Sequence, residues 1–527
     1  MPMRRRSFLA AGAGAALLTA PAIAQAQGSR VLRLVPQANL TVLDPIWTTA
    51  SVSQGHGYHV YDTLYGVDRN LKPQPQMAEG HSVEDGGRTW LIRLRPSLQF
   101  HDGEPVRAVD CVASLMRWSR RDSFGQTLAR AVESWDAPDD RTIRIRLKRP
   151  FPPLLDAIAK PSSAAFIMPE RLAKTDPNVQ VTEVVGSGPM RFARDEFVSG
   201  SRVVYTRFAD YAPREEAAEY TAGGKRVFFE RVEWTVMPDA ATAAAALKNN
   251  EVDWWEMVLP DLVPSLSRDP AVRVRVADPL GYIALMRFNH LQKPFNNPAL
   301  RRAVLSAVTQ SDYLAAVNGS EPGAWQSCAA MYPCGVPYVQ ELGKSPMSGA
   351  SIETSRQAVK ASGYAGEKVV IINPGDFPSI GPLGEITADL MKRIGLNVDL
   401  QTMDWGTVGQ RRASKEPVEA GGWSVFHTWA SSVSMVNPAL NFYIRGQGAG
   451  GWFGWYENAE IERLTDAWGQ AATDAEQQTI FDDIQKQAFE GVPMVPLGQF
   501  FPRTAHRSNL VDIVAGTNCY PWNVRRA

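Results

Sequence analysis

The chain reads as an α/β protein built from two or three lobes, and three features carry that reading. Its 527 residues exceed what one hydrophobic core supports, because cores stop growing near roughly 250–300 residues and longer chains divide into domains. Hydrophobic residues make up 44% and charged residues 21%, the balance of an ordinary packed chain and not of a disordered or fibrous one. In the second half, helical periodicity alternates with short apolar runs, the pattern of a parallel sheet with crossover helices.

Residues 1–26 differ from all that follows. Arg4, Arg5 and Arg6 precede Ser7-Phe8-Leu9, a small-residue apolar run extends to Ala20, and Ala-x-Ala sites stand at Ala22-Ile23-Ala24 and Ala24-Gln25-Ala26. This is an export signal, and the arginine pair before Ser-Phe-Leu resembles the twin-arginine type. The apolar run falls short of the about 20 residues that span a bilayer. Beyond it, alternating strands are expected near Val31–Val35, Thr89–Arg95 and Thr142–Lys148, each bounded by Gly, Pro or Asp. Helices are expected over 108–120, 239–249, 298–317, 384–394, 457–472 and 474–489. Asn297 before Pro298 is a cap ahead of proline at the first helical position. Strands at 369–373, 397–403 and 424–428 alternate with helices and supply the parallel sheet.

Lys plus Arg equals Asp plus Glu at 55 each, and no basic stripe stands out, so a nucleic-acid partner is excluded. Of the cysteines, Cys328 and Cys334 flank a short Ala-Ala-Met-Tyr-Pro loop that brings them within bridging range, and an exported chain permits the disulfide. Cys111 lies on an apolar helix face and reads as a buried, inert thiol. No G-x-S-x-G, H-E-x-x-H or S-x-x-K set with its partners occurs, so no catalytic residue is assigned. His56 and His59 stand three apart without a third histidine or a nearby acid, too little for a metal site. Gly186-Ser187-Gly188-Pro189 is a turn where the chain changes domain, scaffold and not a phosphate cradle.

In open α/β sheets, ligands settle beyond the carboxyl ends of the strands. That rule selects Gln37 and Asn39 after the first strand, Asp376 in the loop 373–380, Trp405, and His427 and Trp429. Flat indole rings offer large contact area at little entropic cost; core packing is the competing use of both tryptophans. Asp376 suits an amine-bearing solute or a turn cap, and Arg445 an anionic group or a loop surface. His427 suits ligand contact or hydrogen-bonded packing. Trp452, Trp455, Trp254 and Trp255 read equally as cleft wall or core.

From Asp44-Pro45 onward, a series of segments points further. They are Val60-Tyr61-Asp62-Thr63-Leu64-Tyr65-Gly66, Pro75-Gln76-Met77-Ala78-Glu79-Gly80, Thr89 to Arg95 running into Phe100-His101-Asp102-Gly103, Gly186 to Pro189, and Pro294-Phe295-Asn296-Asn297-Pro298 before Arg301-Arg302-Ala303. In order and spacing the chain resembles the family 5 extracellular solute-binding proteins over nearly its whole length. The resemblance implies a two-lobed type II periplasmic-binding-protein fold with an extra subdomain inserted in the first lobe. Lobe 1 would span 27–281 with the insert at about 66–185, lobe 2 would span 282–497, and 498–527 would return to complete lobe 1. It further implies a periplasmic monomer, without enzymatic activity, cofactor or bound metal. Such a protein captures a small-molecule solute by hinge closure and hands it to an ABC permease in the inner membrane. Dipeptide binders of the family place an acid just after the tryptophan matching Trp429 and an arginine in the loop matching 373–380. Here those stretches read Trp429-Ala430-Ser431-Ser432-Val433-Ser434 and Asn-Pro-Gly-Asp-Phe-Pro-Ser-Ile, and hold neither, so a zwitterionic dipeptide in that pose does not fit. An exported hydrolase, a metal or metallophore receptor of the same fold, and a chaperone-like binder of unfolded segments stay open as alternatives.

Overall fold

The computed structural model describes residues 30–471 and 473–527, so the export signal read at residues 1–26 lies outside the described residues. Three larger sheets set the architecture. In the first, Val31–Val35 lies parallel to Arg231–Thr235 on one side and to Trp254–Val258 on the other. Arg503–Arg507, from near the end of the chain, runs antiparallel between Trp254–Val258 and Val272–Val276. Met190–Phe192 and Arg202–Arg207 complete that sheet.

The second sheet runs Trp325–Gln326, Met494–Phe500, Tyr282–Phe288, Val425–Ser431, Lys368–Pro374, Asn397–Met403. The last three strands are mutually parallel, as the helix–strand alternation requires. Tyr282–Phe288 and Met494–Phe500 run antiparallel beside them. Every residue of Tyr282–Phe288 is buried, because a central strand covered on both faces needs no polar alternation. The chain passes between the two sheets only after Val276 and after Phe500. Phe500 still pairs with Tyr282 and Trp325, so the second crossing falls later than residue 498.

A separate four-stranded antiparallel sheet orders Ala78–Glu84, Thr89–Leu94, Thr142–Leu147 and Val132–Asp139. In Thr89–Leu94, Trp90, Ile92 and Leu94 are buried in alternation, the mark of a sheet with one covered face. Helix Ala108–Arg121 packs on that face. Gly186 and Gly188 dock this region against the first helix: a Cβ on Gly186 would sit 2.1 Å from the Val60 carbonyl oxygen, and the Gly188 N–H donates to that same oxygen at 2.8 Å. The close approach explains the glycines without a ligand.

One expected element is divided. Residues 298–317 form two helices, Pro298–Ala307 and Gln310–Asn318, because Val308 and Thr309 adopt extended backbone. Both are β-branched and weak helix formers, and Val308 is buried at the break. Asn297 caps the first helix, its Oδ1 accepting from the Ala299 N–H at 3.0 Å. Cys328 and Cys334 are bridged, with Cα atoms 5.8 Å apart; Cys111 and Cys519 are buried free thiols.

Candidate ligand-binding cleft

The two large sheets point the carboxyl ends of their parallel strands at one another. Where they meet lies a cavity of about 150 Å³. One wall is the chain just after Val31–Val35, Arg231–Thr235 and Trp254–Val258; the other is the chain just after Lys368–Pro374 and Asn397–Met403. Phe500 and Pro502 of the second crossing close its back. A second cavity of about 760 Å³ opens between Trp47, Arg120 and Ser123 on one side and Lys415 and Trp452 on the other. Between them sits a chamber of about 30 Å³ that shares Gln37 and Trp405 with the first cavity and Thr49 and Trp452 with the second. The three lie side by side, sharing walls along the junction.

Five of the residues selected by strand-end position line this space. Gln37 and Trp405 line both the first cavity and the chamber, Asn39 and Asp376 the first cavity, and Trp429 the chamber. Local bonds hold each in place. Asp376 Oδ1 accepts from the Trp405 backbone N–H at 2.8 Å, so the aspartate ties two adjacent loops. Asp404 caps the helix Trp405–Arg411. The Trp429 indole N–H donates to Ser379 at 3.0 Å, and its ring stands edge-on to Tyr282 at 4.7 Å. Asn39 accepts from the Gly200 N–H at 2.8 Å.

The sixth, His427, and the basic candidate Arg445 sit elsewhere. His427 is fully buried in the second lobe, 2.7 Å from Thr387 Oγ1, and burial lowers its pKa to about 3. His427 and Trp429, two residues apart in the strand Val425–Ser431, share one face of the sheet; His427 is covered there by Thr387 of the crossover helix, while Trp429 lies farther along the strand, where the chamber opens. Arg445 is buried and not on a loop surface. Its guanidinium makes two bonds to Glu462, at 2.6 and 2.8 Å, and one to Thr127 at 2.9 Å, so an internal carboxylate has already taken the charge a ligand would need. Of the undecided tryptophans, Trp452 lines the chamber and the large cavity, Trp455 the large cavity, and Trp255 the first cavity.

Two charged groups escaped the reading of the sequence, Arg412 in the chamber and Glu256 in a separate cavity of about 20 Å³ that shares Gln37 with it. Glu256 accepts from the Gln37 backbone N–H at 2.8 Å and from its side-chain amide at 3.4 Å, and burial raises its carboxyl to about 7. An acid inside the apolar run Trp254-Trp255-Glu256-Met257 was the available signal. Arg412 lines the chamber, is 3% exposed, and faces the rings of Phe453 at 4.7 Å and Trp405 at 5.5 Å. Burial depresses its pKa to about 10. Nothing in the polar stretch around Arg411-Arg412 marks it.

His56 and His59 are buried in hydrogen bonds, His56 with Tyr205 at 2.9 Å and His59 with the Gly55 carbonyl at 2.9 Å. Burial lowers them to about 3 and about 4. Among the described residues no cluster of three or more His, Cys, Asp or Glu side chains is placed to hold a metal, and no helix is long and apolar enough to cross a membrane.

Comparison with known proteins agrees with this geometry. The family model described as bacterial extracellular solute-binding proteins, family 5 Middle, matches residues 72–450. A probable peptide ABC transporter periplasmic-binding protein of Sinorhizobium fredii is 34% identical, covering 100% of both chains. The PBP AgaA of A. tumefaciens R10, solved in complex with agropinic acid, superposes with a TM-score of 0.78 at 20% identity over 94% of this chain and 99% of its own. The periplasmic binding protein DppA of Helicobacter pylori, solved with the peptide STSA, gives a TM-score of 0.78 at 19% identity over 95% and 99%. The fold is thus the two-lobed periplasmic-binding-protein architecture, its named relatives are binding proteins, and the chain belongs to the bacterial extracellular solute-binding proteins of family 5.

Proposed function

We propose that this protein is the periplasmic solute-binding component of an ABC importer, and that it encloses a peptide-like or other small organic solute between two lobes without altering it chemically. One observation carries the reading: a cavity onto which the strand ends of two independent sheets open, with only two chain crossings between those sheets. Such a junction can hinge, the short crossings absorbing the backbone change while each sheet moves as a body. The lobes comprise residues up to 281 together with the segment after Phe500, and residues 282 to 500. The antiparallel sheet within 66–185 is the added subdomain.

The name of the Sinorhizobium relative and the peptide bound to the Helicobacter protein support a peptide-like solute; the agropinic acid complex supports a wider range of small organic molecules. The buried, internally bonded states of His56, His59 and His427 favour binding over hydrolysis. The protein acts as a monomer, reaches the periplasm through a twin-arginine signal, and delivers its solute to a membrane permease. The mature protein, scanned thermally against peptides, sugar acids, amines and metal chelates, should melt higher with its solute; a solute at 100 times its Kd adds about 2.7 kcal/mol. Turnover of the bound compound, abolished by a single substitution, would replace this reading with that of an enzyme.

A further inference from the structure

Among the described residues, buried cations are held by internal acceptors with one exception. Arg117 pairs with Asp44 at 2.6 Å, Arg445 with Glu462 at 2.6 Å, and Lys225 with Asp62 at 2.7 Å; Lys160 pairs with Asp122. Arg287 donates to the carbonyls of Phe453, Tyr443 and Pro493, and Arg301 to those of Gly491 and Phe295. Arg412 is as buried as these, yet among the described residues its guanidinium has no ion pair and no hydrogen bond; its Nε is enclosed without an acceptor. Its neighbours are the faces of Phe453, Trp405 and Phe426, which attract a cation but accept no directed hydrogen bond. A buried guanidinium left in this state is costly unless a partner arrives.

The position of that guanidinium, on the wall of the chamber between the two larger cavities, shows where a partner would come from. The large cavity beside it is cationic as well. Arg120, Arg121, Arg130 and Lys415 line it against one acid, Asp122, which Lys160 already neutralises. Arg130 is partly countered by Glu462 and Asp466, each at 3.8 Å; Arg121 and Lys415 bond to neutral acceptors. A cleft lined by one sign of charge concentrates the opposite sign.

We infer that Arg412 anchors an anionic group of the solute, a carboxylate seated in the aromatic-walled chamber, and that the transported class is therefore acidic. This rests on the reading of the junction as the solute site. It assigns the carboxylate to a residue outside the loop 373–380, where the dipeptide binders carry theirs, and so accounts for a cleft that lacks that arginine. The carboxylate is either a peptide C-terminus or part of an organic acid such as a sugar acid, and the experiment separates these.

Wild type and R412M would be titrated calorimetrically with short peptides and their C-terminal amides, and with sugar acids and the corresponding neutral sugars. The expected result is binding of at least one acid and not of its neutral counterpart, with affinity falling at least about 30-fold in R412M, the loss expected when one member of a buried charge pair is removed. Unliganded R412M should melt at or above the wild-type temperature, since it removes an uncompensated charge; a purely structural arginine would lower it. Equal affinity for acids and their neutral counterparts, or unchanged affinity in R412M, overturns the inference while leaving solute capture intact. Should R412M fail to fold, R412K, which keeps the charge, should bind the acid more weakly but still prefer it to the amide, and loss of that preference counts equally against the anchor. If no compound of either set binds wild type, the small-solute reading falls and this inference with it.

Discussion

Glu256, in the small cavity beside Gln37, changes charge near neutral pH. Its folded pKa of about 7 lies above the ordinary 4.5, because burial penalises the carboxylate. The stability it contributes is thus fully present below about pH 4.5 and is lost as pH rises through about 7. E256Q removes that dependence. Relative to wild type, E256Q should gain at most about 3 kcal/mol between those limits, read from urea unfolding of both proteins at each pH; a constant difference would contradict the assignment. Arg445 yields a second test. E462Q leaves the guanidinium buried without its carboxylate and should cost about 3–5 kcal/mol of stability, read from the urea midpoint. At this scale the sequence was informative where position alone decides. Gln37, Asn39, Asp376 and Trp405 follow strand ends and do line the space, as does Trp429 near the end of the longer strand Val425–Ser431. His427 was chosen by the same reasoning and Arg445 as the basic residue for an anionic group, yet their side chains bond to Thr387 and Glu462, since neither position nor charge says which partner lies across the packing.

Elements were legible wherever a local signal exists. Asn297-Pro298 opens a helix as expected, and N297A should cost about 1 kcal/mol through loss of the cap, measured as a lower urea midpoint with an unchanged slope. The Cys328–Cys334 bridge closes a short loop, so reduction should cost only about 2 kcal/mol on the loop-entropy scale, seen as a modest fall in melting temperature with reductant. The strand Asn397–Met403 has the bounds its apolar pattern marked. Less legible was the break at Val308-Thr309, since helical periodicity continues through it and only the weak preferences of two β-branched residues argue against continuation. Nor did the alternating pattern reveal that Tyr282–Phe288 and Met494–Phe500 join the same sheet as the parallel strands, for that pairing joins segments about two hundred residues apart.

Across the whole molecule, the proposed closure is a rotation of one sheet-centred body against the other about the two crossings. Small-angle scattering should show a smaller radius of gyration with solute than without, and Trp405 or Trp429 emission should shift in the same titration. An unchanged radius at saturation would mean a preformed, rigid site. The chain itself determined the α/β character, the strand ends that face the junction and the family resemblance, because each depends on residues near one another in sequence. Only tertiary structure decided which charges in the interior are already neutralised and which wait for a partner. Arg117, Arg445 and Arg412 look alike in sequence, and they differ because a carboxylate's distance in space, set by the packing of remote segments, determines whether a guanidinium is satisfied.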